Sequence, residues 1–388
     1  MTIENESLSL PIEFSAKEDS AHLGISESGR QRIKQVFDDQ IDRGLHPGAQ
    51  IVVLRWGHVI LDFSEGFTSK NNKVPISPDT QFLVFSLTKP FTSCCVFKLI
   101  EEDKIHLDDP VGLYWPEFSC LGKEEITIKQ VLLHQTGLPR NGLVYQILNI
   151  RNWKKVTDNL TKQSPIFLPG TKTAYQLLNY GFILGEIVYR VTGLPIDEYL
   201  RREFLAPLGL LHTTMRVNDF QNEEFAHLSS ATPDHQVVAW IFNSSRVRGA
   251  LIPAASLHST ARDIAVFFQM LLNQGKYAGQ RFLASRTVEL MTSLGHEDFD
   301  QSLGRKTRWG YGFFLGGDHQ LHPEYADGMG KGSTLQTFGH YGQRNSMVWA
   351  DKESGLVVVY LCNRFLSSDD NKARLQQISD AVWDAIEQ

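Results

Sequence analysis

The chain has 388 residues, 42% of them hydrophobic and 21% charged, with a net charge of −6. That gives room for two lobes or one large domain with an ample core, in an ordinary globular composition. The charge, spread without long single-sign runs, argues against a nucleic-acid footprint and does not suggest an anionic membrane partner.

Residues 1–22 read as a loose arm. The polar, acidic stretch 1–18 lacks the basic start and apolar core of a signal peptide, and the sequon at Asn159 carries no weight without one. Ser26, Glu27 and Ser28 cap a helix running to about residue 43, with Ile33, Val36, Phe37 and Ile41 on one face. Residues 49–55 and 58–63 read as paired strands turned at Trp56 and Gly57. Ser86 then opens a mostly apolar, buried helix. Residues 126–134 form a short helix closed by Gln135, Thr136 and Gly137. An apolar helix over 179–191 stops at Gly193 and Pro195, and a second runs over 196–204. The clearest amphipathic helix spans 259–273, with Ile264, Phe267, Phe268, Leu271 and Leu272 apolar.

The last eighty residues change character. Short β-rich runs at 311–315, 337–341, 346–350 and 356–361 precede a final helix over 371–386. Strands at both ends with helices between predict one antiparallel sheet built from both termini, flanked by terminal helices, with a helical lobe inserted. The expected division is an arm over 1–22, an α/β lobe over 23–90 plus 306–388, and a mainly helical lobe over 91–305. The active site is expected between the lobes. No run of roughly eighteen apolar residues is present to span a membrane. The four cysteines, Cys94, Cys95, Cys120 and Cys362, have no C-x-x-C spacing. Reduced thiols in a cytoplasmic protein are expected, not a disulfide framework or a zinc site.

Ser86 and Lys89 stand three residues apart, so a helix starting there puts both on one face. The first turn sits near the positive end of the helix dipole, which favours an alkoxide or oxyanion. Pro90 lacks an N–H, which is tolerated at a helix start and costly in its middle. A lone hydroxyl is a poor nucleophile and needs a tuned base. No G-x-S-x-G and no H-E-x-x-H occurs, and residues 330–333 fail the phosphate-loop pattern.

Further segments follow Ser86-Leu87-Thr88-Lys89-Pro90-Phe91-Thr92 in order. They are Leu107-Asp108-Asp109-Pro110-Val111, the run 126–138, Pro169-Gly170-Thr171 with Tyr175, Tyr180-Gly181 and Gly185, the run 256–263, and Gly339-His340-Tyr341-Gly342. That order resembles serine β-lactamases, penicillin-binding proteins and related esterases. The chain is similar to the class C β-lactamase superfamily over most of residues 25–388, most closely to its esterase-like, family VIII carboxylesterase branch. The resemblance implies an α/β (α+β) fold of the β-lactamase/transpeptidase type. It implies Ser86 as nucleophile, Lys89 as proton acceptor or electrostatic activator, and Tyr175 as general base or proton shuttle. The backbone N–H groups of Ser86 and Gln343 would form the oxyanion hole. His340, Gly342 and Leu177 would contact substrate. No cofactor and no metal is implied.

Three departures separate the chain from that pattern. Leu177 stands where the Y-x-N motif has Asn, His340 replaces the K-T-G lysine, and the Tyr175 segment is one residue longer before Gly185. The first two remove partners for a β-lactam's amide and carboxylate. The expected activity is therefore ester hydrolysis through an acyl-enzyme on a small-molecule ester or β-lactam-like substrate. Its alternatives are a β-lactamase, a D-amino-acid peptidase or amidase, and an acyltransferase to an acceptor other than water. A non-enzymatic penicillin-recognising module is disfavoured by Ser86, Lys89 and Tyr175. The chain is expected as a monomer or homodimer. Tyr175 would lose its proton near pH 7 only with a cation such as Lys89 a few ångströms away. His340 is open to a purely structural reading at a strand end. His134 is assigned a structural role at a helix end, and His212, His227 and His235 have no metal-ligand spacing. Trp153, Trp240 and Trp309 are candidates for an acyl pocket, the core or the surface.

Overall fold

Strand-forming segments from both ends of the chain meet in one antiparallel sheet. The computed structural model describes residues 10–14, 20–71, 73–139, 142–217, 225–317 and 328–386. Helix α1 (Glu27–Asp42) opens with Ser26 Oγ accepting from Gly29 N at 3.0 Å. Strands β1 (Gly48–Arg55) and β2 (His58–Gly66) follow. Trp56 and Gly57 both take positive φ, 53° and 85°, the turn whose twist suits a two-residue hairpin. Helices α2 (Thr88–Glu101), α3 (Asn179–Thr192), α4 (Pro233–Asn243) and α5 (Ala261–Leu272) make up much of the middle of the chain. The chain returns through β3 (His296–Asp300), β4 (Arg305–Trp309), β5 (Phe314–Leu315), β6 (Thr337–Tyr341), β7 (Ser346–Asp351) and β8 (Leu356–Cys362). Helix α6 (Ser368–Asp384) closes it.

The sheet runs β2-β1-β8-β7-β6-β5-β4-β3. β1 pairs with β8 from Ala49 opposite Cys362 to Arg55 opposite Leu356, which joins the two ends of the sequence. Every residue of β8 is buried. Helices cover both faces of this part of the sheet, so β8 reads as a continuous apolar run instead of alternating. α1 and α6 pack together, tied by Gln40 Nε2 donating to Arg374 O at 3.0 Å. α5 lies against β1, β7 and β8.

Several expectations change. Residues 296–300, assigned to the helical lobe, and 305–309, placed across the boundary between the lobes, are the last two strands of the sheet, with β3 at its edge. Their sequences, HEDFD and RKTRW, are too charged to announce a core strand. They pair through opposite charges, with Arg308 Nε 3.1 Å from Glu297 Oε2, as suits an edge open to water. The strand expected over 311–315 shrinks to Phe314–Leu315, because Gly310 N turns back to Phe313 O at 2.9 Å. The helix expected from 259 begins at Ala261, since Thr260 Oγ1 caps it and His258–Ser259 pairs with Phe82–Leu83. The helix expected over 196–204 is α-helical over Ile196–Leu200 and continues as a π turn over Arg201–Leu205. The short helix near 130 spans Ile128–Leu132 inside a reciprocal Thr127–Gln130 capping box.

The arm expected to be loose packs where it is described. Ile12 N donates to Tyr277 Oη at 2.9 Å, and the Arg262 guanidinium lies 5.1 Å from the Phe14 ring centroid. Residues 1–9 and 15–19 of that arm lie outside the described residues.

Candidate active site

Ser86 sits in a single 3-10 turn, Phe85–Leu87, that feeds directly into α2. The residue before it, Phe85, has φ of 47°. A bulky side chain in the left-handed region costs on the order of 1–3 kcal/mol. Three contacts hold it there. Its ring packs 4.9 Å from Phe242 of α4 and 5.6 Å from Phe365, and its carbonyl accepts Thr88 Oγ1 at 2.5 Å. The strand leading in is fixed by Val84 N donating to Leu257 O at 2.9 Å.

One turn further on, Lys89 is fully buried. Its Nζ lies 3.2 Å from Ser86 Oγ, 3.2 Å from Leu177 O and 3.3 Å from Ala254 O. Burial pushes the ammonium well below its usual range. A neutral amine has two hydrogens and one lone pair. Two of its partners are carbonyls, which only accept. The lone pair is left for the third partner, the Ser86 hydroxyl.

Tyr175 is buried, with its hydroxyl close enough to Ser86 to feel it electrostatically. Lys89 Nζ stands 4.6 Å from its ring centroid. The proximity foreseen for a phenolate is therefore present, yet the phenol is pushed up. Burial is the main cause, the Asp300 charge adds to it, and the Ser86 hydroxyl opposes it. Burial thus favours the neutral amine at Lys89 and the neutral phenol at Tyr175.

His340 lies on β6, opposite Val348 of β7. Its Nδ1 is bonded to the Tyr341 backbone at 2.9 Å, and its Nε2 has no partner among the described residues. Burial is the main cause that pushes the imidazole down to about 3. It is uncharged at neutral pH and does not replace a fixed cation. Gly342 begins the tight β6–β7 turn, donating to Ser346 O at 2.9 Å. A Cβ there would stand 1.9 Å from Ser346 Oγ and 2.5 Å from Val84 O. That turn is fastened to the strand before Ser86 by Asn345 Nδ2 to Leu83 O at 2.8 Å and Ser346 Oγ to Val84 O at 3.1 Å. Within the turn, Gln343 N–H has no acceptor among the described residues.

Leu177 contributes its backbone carbonyl to Lys89, while its side chain packs half-buried on the core. Of the tryptophans, Trp309 is fully buried and stacks on Tyr175 at 5.7 Å between centroids. Trp240 is 74% exposed, and Trp153 Nε1 donates to Glu186 Oε2 at 2.6 Å. Two contributors escape a reading of motifs. Ala254 offers only a backbone oxygen, which no side-chain pattern announces. Asp300 lies in an acidic edge strand whose sequence looks like solvated surface.

A family model described as Beta-lactamase matches residues 33–382. A relative from Salmonella typhi named "Putative D-alanyl-D-alanine carboxypeptidase" is 26% identical over 383 residues, covering 88% of this chain and 84% of its own. Among solved structures, a family VIII carboxylesterase is similar at 26% identity and a TM-score of 0.80, covering 93% of this chain and 99% of that one. A penicillin-binding protein homologue from Caulobacter crescentus is similar at 26% identity and a TM-score of 0.78, with the same coverage.

Proposed function

The chain belongs to the Beta-lactamase family, and from that membership we propose that it is a serine hydrolase cleaving carboxylic esters through an acyl-enzyme on Ser86. The observation that carries the mechanism is the trio around Lys89 Nζ, two carbonyls and the Ser86 hydroxyl within 3.3 Å; a neutral Lys89 gives its two hydrogens to the carbonyls and turns its lone pair to the hydroxyl. Lys89 accepts the Ser86 proton as Oγ attacks the ester carbonyl. The new ammonium finds an acceptor for each of its three hydrogens. The oxyanion lies against the N–H groups of Ser86 and Gln343. Tyr175, held protonated by burial, gives its proton to the departing alcohol oxygen. The resulting phenolate faces the Lys89 ammonium. In deacylation the phenolate takes a proton from water, water oxygen attacks the acyl carbon, and Lys89 returns its proton to Ser86 Oγ. Both side chains end neutral, as they began.

Esters are favoured over β-lactams by Leu177 and by the uncharged, buried His340. Each missing polar partner is worth roughly 1–3 kcal/mol, which together weakens β-lactam recognition by a few powers of ten. The specific observation for a second reading, a D-amino-acid peptidase, is the name carried by the Salmonella relative. Turnover of p-nitrophenyl butyrate, a chromogenic cephalosporin and a D-alanyl-D-alanine peptide decides between them. Preference for either of the last two overturns the ester reading. Among the described residues no helix is long and apolar enough to cross a membrane. A two-lobed division, cytoplasmic action, and a monomer or homodimer belong to the same proposal.

A further inference from the structure

Tyr175 lies in irregular chain, where no helix or sheet ladder supplies acceptors for its amides. Buried amides must still find them. Three successive N–H groups do so through only two residues. Ala174 N donates to His134 O at 2.9 Å. Tyr175 N donates to Asp300 Oδ1 at 3.1 Å. Gln176 N donates to His134 Nδ1 at 3.2 Å. The backbone on either side of Tyr175 is thus gripped by His134, and Tyr175 itself by Asp300.

Both holders are specialised for this. His134 is fully buried and has φ of 60°, which turns its carbonyl and its ring toward the same segment. Since Nδ1 accepts, the hydrogen of the neutral ring is on Nε2. The ring packs 4.7 Å from that of Tyr175. Asp300 is fully buried, and Oδ1 also accepts from Ser302 N at 2.8 Å and Leu303 N at 3.0 Å. No cation partners its carboxylate among the described residues. Gln301 N donates to Thr173 O at 2.9 Å, so the β3–β4 turn and the Tyr175 segment are laced together. A buried carboxylate is costly, and this one spends its contacts on the backbone of the turn and of Tyr175.

We propose that His134 and Asp300 are positioning residues that aim the Tyr175 hydroxyl at Ser86 and at the leaving-group oxygen. The proposal rests on the reading of Tyr175 as proton donor to the leaving alcohol. A misaimed donor hurts poor leaving groups most, because p-nitrophenolate departs without a proton. The readout is therefore the ratio of kcat for a p-nitrophenyl ester to kcat for the ethyl ester of the same acid.

In His134→Ala and Asp300→Ala that ratio should rise on the order of tenfold to a hundredfold, the scale of small misplacements, with KM little changed. His134→Asn keeps an acceptor for Gln176 N and suits a left-handed backbone, so its ratio should stay near wild type. Asp300→Asn keeps Oδ1 as acceptor and should do the same. Thermal melting identifies any alanine variant that does not fold, and the two asparagine variants then carry the test. The inference is overturned by equal loss on both esters in the alanine variants, or by asparagine variants as impaired as Tyr175→Phe. Tyr175→Phe itself must raise the ratio. If it does not, the donor reading of Tyr175 fails. If it does while His134→Ala and Asp300→Ala leave the ratio unmoved, the positioning inference alone fails.

Discussion

The two halves of the candidate site are held by different means. Ser86 and Lys89 share one continuous stretch, a 3-10 turn running into α2, and three residues of spacing bring Oγ and Nζ to 3.2 Å. Tyr175 has no such frame. The amides of its segment are accepted by His134, 40 to 42 positions upstream at the end of a short helix, and by Asp300, 125 positions downstream at a sheet edge. The spacing of the first half is set by local geometry, with distant groups added around it. The second is assembled by long-range contacts and is exposed to distant change.

The sharpest break in that comparison is Ser86→Ala. It should reduce kcat on the order of 10⁵-fold or more, as loss of a nucleophile does. It should also abolish the single fluorophosphonate adduct seen by intact mass. An adduct that persists, or maps elsewhere, removes Ser86 from the chemistry.

Next come the two proton carriers. Lys89→Ala and Tyr175→Phe should each lower kcat about 10²–10⁴-fold on an alkyl ester, the range for losing a general acid or base. Lys89→Arg should not restore activity, because a guanidinium keeps its proton and offers no lone pair. A Lys89→Arg enzyme at near wild-type rate would show that only the positive charge mattered.

Substrate preference is a smaller effect. kcat/KM for p-nitrophenyl butyrate should exceed that for a chromogenic cephalosporin by about a hundredfold, from the two missing contacts. His340→Lys should narrow this gap by restoring a donor at the β6 site. A gap left unchanged by His340→Lys, in a variant that still hydrolyses the ester, separates His340 from β-lactam recognition.

The gentlest test is pH. Burial depresses Lys89, and the neutral amine is the active form. Activity should therefore be lost as pH falls through that depressed pKa and be complete above it. Burial raises Tyr175, so the donor stays protonated past the ordinary tyrosine range of about 10. His340, near 3, contributes no limb between pH 5 and 8. A kcat profile that rises only above about pH 10, where free lysine titrates, contradicts a desolvated Lys89.

Much of this was legible in the chain itself. Hydrophobic spacing and turn residues gave α1, the hairpin at Trp56–Gly57 and strands β6 to β8, because each depends on neighbours within a few residues. The Ser86–Lys89 pair was legible for the same reason: a helix repeats at a fixed pitch, so spacing becomes distance. The ordered motifs carried the family, which the match over residues 33–382 bears out. Other features depended on the folded chain. Whether Lys89 and Tyr175 are charged turns on how much water burial removes. The second hydrogen of Lys89 goes to Ala254 O, a backbone atom 165 residues away. Strands β3 and β4 were hidden because their charged sequences, at and beside a solvated sheet edge, read as loop. The phenol of Tyr175 meets Ser86 only because His134 and Asp300 converge on one short irregular segment. Sequence determined what could be written in local periodicity and residue type; tertiary structure decided protonation and aim, since both are set by groups that only folding brings together.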